Sequence, residues 1–497
     1  MNLGYTEVCI VVLSIYVVVT IYFSLRGMKQ TSTMKDYALG KGFSPWIVAL
    51  SLAASITSAA TFIINPGFVA MYGWSAFLAM SVMLPLGLYI SLVVLSKSFR
   101  AMGLQSESLT LSQWVGKRFD SKAFSIYMAC LSLLLITFIV LICVGLTKVL
   151  ANALSAPETW VLICTVLFVF GYMMVGGANT MVYTNMIQAI LMIIVALMLL
   201  YSGREHFEQG ISGFWSKVNA LDPNMATSFN PISPLFRDAF EVMFCNFIVG
   251  IAVVCQPHII TRSLMLKSDK DVNKYLLIAI VVESIFFAVL FAGFYARFEF
   301  PEMKNGDTVL KIDSVFSAYV IKEFSVYTGI IVIMGLIAAG ISTLEGLIQS
   351  LSSTITNDLI LVFSKKERSS KQISNINKIV IAILGIIAIL VSLYQLKNPN
   401  LSVGILAQNG VYAFFSAAFV PVLFGIFVKT AKKQAVIIAS VTAILVHFSV
   451  YYLNLSYYTS SVVKNPAVAA TYAILSSVAI AIILQIFLPS PSKKHKV

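Results

Sequence analysis

The chain has 497 residues, of which 59% are hydrophobic and 11% are charged, against about 25% charged in a soluble protein. That balance excludes a soluble globular chain, and 14 prolines and 27 glycines are too few for low-complexity disorder. The apolar residues come in long runs without strand-like alternation, which excludes an outer-membrane barrel and leaves a polytopic all-α membrane protein.

A spanning helix needs about 20 apolar residues, and in chain order such runs lie near 5–25, 44–68, 75–96, 123–147, 159–177, 182–202, 238–257, 275–296, 326–360, 379–395, 403–428, 434–454 and 467–488, thirteen in all. No basic residue precedes the first run and no small-residue cleavage site follows it, so it is expected to be a retained span. With the amino terminus outside, the inner segments 26–43, 97–122, 258–274, 361–378, 429–433 and the tail after 488 hold 24 of the 34 Lys and Arg. This asymmetry predicts an N-out, C-in topology. It assigns the net charge of +13 to a collar over anionic lipid of the cell membrane, with no need of nucleic acid. The six cysteines show no CxxC pair or metal-ligand spacing. Two outer loops, 203–237 and 297–325, carry Phe214-Trp215 and Phe316 and are expected to contain short interfacial helices that act as lids. No soluble domain is large enough for an ATP-binding module or a kinase, no catalytic residue is assigned, and no obligate protein partner is evident. The chain is not read as an enzyme.

Within the second run, nine of the eleven residues 51–61 are Ala, Ser or Thr. Such a helix opens easily, and unwound backbone at membrane depth is tolerated where it lines a cavity or binds an ion; close helix packing is the alternative use of small residues. In the ninth run Ala339, Ser342 and Thr343 stand at i, i+3 and i+4, on one face. Neutral oxygens without His, Cys or a carboxylate cluster suit Na⁺ better than a transition metal, although Ser and Thr also bond back to their own helix. Glu345 and Glu283 are ionisable groups inside apolar runs and are therefore functional candidates; Glu345 is an ion ligand, a proton acceptor or a paired charge, and Glu283 has a surface or pairing role as its alternative.

Four ordered stretches carry a family resemblance: Ala49-Leu50-Ser51 through Pro66-Gly67, Gly176-Gly177-Ala178-Asn179-Thr180 through Thr184-Asn185-Met186-Ile187-Gln188, Gln256-Pro257-His258-Ile259-Ile260-Thr261-Arg262, and Ser342-Thr343-Leu344-Glu345-Gly346 through Ser350. They resemble the sodium/solute symporter family, in its proline and pantothenate branches. The resemblance implies one transporter domain with a LeuT-type core of two inverted five-helix repeats, 44–202 and 238–428. A leading helix and loop occupy 1–43, and 429–497 hold two extra helices and a cytoplasmic tail. It implies a Na⁺ site built from the carbonyls of Ala54, Thr57 and Ala339 and the hydroxyls of Ser342 and Thr343. Asn185 stands where the family has Asp, and Glu345 where it has Asp or Ser. That departure favours one sodium per cycle, and leaves Asn185 with Glu345 as a possible second ion or proton site.

By the same resemblance the substrate-binding residues are Ser55, Ser58 and Thr61, then Asn246, then Gln408, Asn409 and Tyr412. Ile56 replaces the Asp of proline symporters, which speaks against proline. Lys148 aligns with an Arg of the pantothenate branch and would attract a carboxylate; snorkelling to the interface is the alternative for a Lys at a helix end. The expected function is sodium-coupled import of a small organic solute, a monocarboxylate or pantothenate-like anion. Amino acids, sugars and sialic acid are alternative substrates, and proton coupling through Glu345 or a transporter-like membrane sensor are alternative functions.

Overall fold

A computed structural model describes residues 5–58, 60–364, 367–398, 403–461 and 463–489. Lys365, Lys366 and the basic residues after 489, which enter the charge asymmetry, lie outside them. In chain order the helices that position the site are α1 (Tyr5–Gln30), α2 (Pro45–Ile56), α3 (Asn65–Tyr72), α4 (Leu84–Gln105), α5 (Ile136–Leu154), α6 (Glu158–Ser202), α7 (Asn246–Val253), α8 (Pro257–Ile260), α9 (Val272–Ala288), α10 (Ile312–Glu323), α11 (Val326–Thr354), α12 (Ser370–Lys397), α13 (Val403–Phe427), α14 (Lys433–Tyr452) and α15 (Pro466–Phe487). Among the described residues ten helical stretches are long and apolar enough to cross a membrane, or twelve if each of two bent pairs is one span.

Burial sorts these helices. The most apolar part of the stretch 327–363, which contains α11, is 94% buried, against 17% for that of α1. A helix apolar on all sides needs neighbours or lipid on all sides. α11 finds neighbours in α2, α5 and α6, so the Ala339–Glu345 segment lies inside the protein, and α1 meets lipid. The 45 residues of α6 would measure about 67 Å as one rod at 1.5 Å per residue, more than twice a bilayer core of about 30 Å. The helix breaks at Gly177 (φ 51°, ψ −139°), where a Cβ would lie 2.7 Å from the Tyr37 carbonyl oxygen. Thus the predicted runs 159–177 and 182–202 meet directly at a glycine.

The loops 203–237 and 297–325 contain short helices, Gly210–Leu221 and α10 respectively, and the second also holds a short hairpin of β1 (Lys304–Asn305) and β2 (Thr308–Val309). Their aromatics differ from the expected interfacial placement: Phe214 and Phe316 are wholly buried, and Phe214 stacks on Phe207 and Phe291. Burying such rings against one another removes more apolar area from water than laying them among headgroups. α10 docks on α3 at Gly67, where a Cβ would fall 1.9 Å from the Ile312 carbonyl oxygen. Nearby, Arg237 and Asn465 hold the buried Glu241. The Tyr458 hydroxyl donates to Asp238 at 2.7 Å, which holds that hydroxyl, pushed up to about 12, in its neutral form.

Candidate functional site

The two bent pairs define the site. The stretch 45–56 and the stretch 60–72 meet at 57°, and 240–253 meets 257–265 at 61°. The second break follows from covalent chemistry. Pro257 has no N–H to donate and pushes the preceding residue out of helical geometry, and Gln256 is extended (φ −68°, ψ 135°). The first has neither Pro nor Gly. Thr57 turns extended (φ −83°, ψ 94°) after its N–H makes the last helical bond to Ala53, and the Ser58 hydroxyl accepts from the Ala60 N–H in the manner of an N-cap.

Four of the five residues in the proposed sodium set converge on the end of α2. The Ser342 hydroxyl donates to the Ala54 carbonyl at 2.7 Å and lies 3.0 Å from the Ala339 carbonyl. The Thr343 hydroxyl donates to the Ser55 carbonyl at 3.1 Å, with the Ala339 carbonyl at 3.3 Å. Thr57 stands at the free end of the same turn, and its hydroxyl donates to Glu283 at 3.0 Å. All of these groups are buried. Carbonyls and hydroxyls are neutral hard donors, so the residues present fit Na⁺. The Ser55 carbonyl belongs to the same oxygen cluster, although sequence assigned Ser55 to substrate.

Charges surround this cluster without entering it. The fully buried Arg262 donates to the hydroxyls of Ser51 and Ser55. Asn185 donates to the Ser55 hydroxyl at 2.9 Å and the Ser342 carbonyl at 3.4 Å. Glu345 accepts from Tyr172, from Thr184 at 2.6 Å and from Gln188 at 3.3 Å. Thr184 and Gln188, at i and i+4, share one face of α6 and Asn185 lies about 100° round from Thr184. Asn185 and Glu345 therefore meet different partners.

A cavity of about 120 Å³ lies between the two breaks, lined by Ser58 and Thr61 from the first, Gln256 and His258 from the second, and Gln408 and Tyr412 from α13. Phe138, Leu141, Phe287 and Phe415 supply apolar walls, and among the described residues neither Lys, Arg nor a carboxylate lines it. The other residues assigned to substrate lie elsewhere. Ser55 is held by Arg262 and Asn185. Asn246 lines a smaller adjoining cavity, together with Gln408 and Tyr412, and donates to the Glu241 carbonyl. Asn409 turns to α14, meeting His447 at 2.8 Å and Tyr452 at 3.2 Å. One residue of helix is about 100° of rotation, which separates it from Gln408. Lys148 lines a vestibule with Glu158 and Asp313. That vestibule shares Ile64 and Leu141 with the central cavity.

Three cavity-lining residues had no role in the sequence reading. The amide oxygens of Asn65 and Gln256 and Nδ1 of His258 are buried without a hydrogen-bond partner among the described residues. Their signal was present in Asn65-Pro66-Gly67 and Gln256-Pro257-His258, polar residues flanking a proline inside apolar runs. Hydrogen bonds also tie the segment before α2, and α4, to residues 263–267 that follow the second break. The Phe43 N–H donates to the Met265 carbonyl at 2.9 Å, the Lys267 N–H donates to the Phe43 carbonyl at 3.0 Å, and Arg100 holds the Ser263 carbonyl.

Comparison with known proteins agrees with this architecture. Residues 37–449 match the model of the sodium:solute symporter family. The sodium/pantothenate symporter of Escherichia coli is 26% identical, over 89% of this chain and 90% of its own length. A sodium/proline symporter of Staphylococcus aureus is 24% identical over 88% and 84% respectively. The solved structure of a Na⁺-coupled sialic acid symporter in a substrate-bound, outward-open state covers 98% of this chain and 100% of its own, with a TM-score of 0.78 at 18% identity; this likeness is one of fold. The relatives are transporters and not enzymes, and the chain belongs to the sodium:solute symporter family.

Proposed function

We propose that the chain imports a small organic monocarboxylate of the pantothenate type together with Na⁺, by alternating access across the cell membrane. The observation that carries the coupling is the double use of the first break. Ala54 meets the oxygens of α11 and Thr57 ends the same turn, while Ser58 and Thr61, just beyond it along the chain, line the solute cavity. An ion that bridges α2 and α11 through Ala54, Thr57, Ala339, Ser342 and Thr343 orders the same turn that presents Ser58 and Thr61 to the solute. Each ligand then pre-orders the other's site, a coupling of about 1–3 kcal/mol that is reciprocal by thermodynamic necessity. An inward-negative potential adds about 2.3 kcal/mol per charge per 100 mV.

The neutral lining and the three unpartnered polar atoms suit a solute with its own donors and acceptors, and Lys148 in the vestibule favours an anion on the way in. The likeness to the E. coli pantothenate symporter over nearly the whole chain supports the same class. We read α6 as two spans meeting at Gly177, which gives thirteen crossings, N-out and C-in, with paired bent helices opening the repeats 44–202 and 238–428. On this reading the vestibule side is external and the arrangement outward-facing.

Uptake of radiolabelled pantothenate into proteoliposomes tests the reading: an inward sodium gradient is expected to drive accumulation, and uptake unchanged without sodium rejects it. Excess proline, sugar or sialic acid as competitors sorts the alternative solutes. Proton coupling through Glu345 has less support, because that carboxylate is engaged by Tyr172, Thr184 and Gln188 and does not line the cavity. Accumulation driven by a pH gradient alone and abolished by Glu345→Gln would favour it.

A further inference from the structure

Glu283 is wholly buried in the middle of α9, one of the stretches apolar enough to span a membrane. A carboxyl group at such a place is costly unless its oxygens are satisfied. Here one oxygen accepts from the Thr57 hydroxyl at 3.0 Å, and the other has no hydrogen-bond partner among the described residues. Among the described residues no ion pair reaches it. On the same helix the Tyr275 hydroxyl is also buried and, among the described residues, unpartnered. A residue retained for stability alone would be an apolar one of similar size, because a half-satisfied acid gains less than clean packing. The single bond Glu283 makes is to the residue where α2 stops. Thr57 is β-branched, so anchoring its hydroxyl fixes χ1 at the extended residue that ends α2.

We infer that Glu283 is a positioning residue for sodium: by holding the Thr57 hydroxyl it keeps the Thr57 carbonyl turned toward the oxygens of Ala54, Ala339, Ser342 and Thr343. The inference rests on the sodium set proposed above. It also ties α9 to the ion through one hydrogen bond.

The test is equilibrium binding of radiolabelled sodium to the purified full chain, with thermal unfolding in sodium-free buffer as a parallel readout. Glu283→Ala is expected to weaken sodium binding at least about tenfold, the loss of a buried hydrogen bond to an acid. Glu283→Gln keeps an oxygen acceptor for Thr57 and is expected to stay within about threefold of the parent. Thr57→Val removes the hydroxyl but keeps the carbonyl and the branched shape, so it is expected to match Glu283→Ala. The double variant is expected to lose no more than either single one, as for two ends of one interaction. Losses that multiply in the double variant overturn the inference, and so does Thr57→Val binding sodium like the parent. A purely structural role predicts a lower unfolding temperature with unaltered sodium affinity, which also overturns it. If Glu283→Ala fails to fold, Thr57→Val and Glu283→Gln carry the test. A parent protein that binds no sodium rejects the sodium site itself, an outcome distinct from all of these.

Discussion

The two broken helices are built in opposite ways. At the first break two carbonyls are already engaged, Ala54 by the Ser342 hydroxyl and Ser55 by the Thr343 hydroxyl, and the Thr57 hydroxyl donates to Glu283. At the second, Gln256 and His258 present buried polar atoms that have no hydrogen-bond partner among the described residues. The first break is a preassembled cage of protein oxygens closed on itself, which suits an ion that needs fixed ligands. The second is an unfinished surface, and a buried polar group left unpaired costs about 1–3 kcal/mol until a partner arrives, which suits a solute that brings its own hydrogen bonds. The difference shows how one bundle can hold a small ion tightly and still admit a larger guest next to it.

That contrast can be broken most directly at the cage. Ser342→Ala and Thr343→Ala are each expected to raise the sodium concentration for half-maximal uptake by about 10- to 100-fold, the equivalent of about 1.4–2.7 kcal/mol; an unchanged sodium dependence would reject the cage. At the open break, His258→Ala is expected to raise the solute half-saturation by about five- to tenfold while sodium binding moves little. Equal losses in both would mean that the two breaks form a single site. Asn409→Ala, on a side chain turned away to His447, serves as the control with both values near the parent. The smallest effect is expected from Lys148→Ala in the vestibule, a two- to threefold slower uptake of an anionic solute at low salt, of about 0.5 kcal/mol. Because such a charge is screened, the deficit should shrink as ionic strength rises; a deficit independent of salt would place Lys148 in direct contact with the bound solute.

Much of this site was legible from residue order. The run of small residues at 51–61 marked the first break, and the Ala339, Ser342, Thr343 spacing marked the face of α11 that meets it. The same reading named Ser55, Asn246 and Asn409 as solute contacts, and they lie outside the central cavity. Motif order identifies a helix, but which of two adjacent side chains faces inward depends on about 100° of rotation that neighbours set. Glu345 illustrates the limit from the other side. Its partners Tyr172, Thr184 and Gln188 stand 173, 161 and 157 residues away, and they come together only because α6 bends at Gly177.

The amino-acid sequence by itself determined a membrane-spanning helical chain, its family, and the stretches where helices give way, because hydrophobic run length, proline chemistry and small-residue clusters are local properties. Tertiary structure alone decided which oxygens close on one another, which polar atoms are left for a guest, and that Glu283 reaches Thr57 across 226 positions of chain. Those outcomes depend on helix rotation and on contacts between distant segments, and the packing of the whole bundle around α11 sets both.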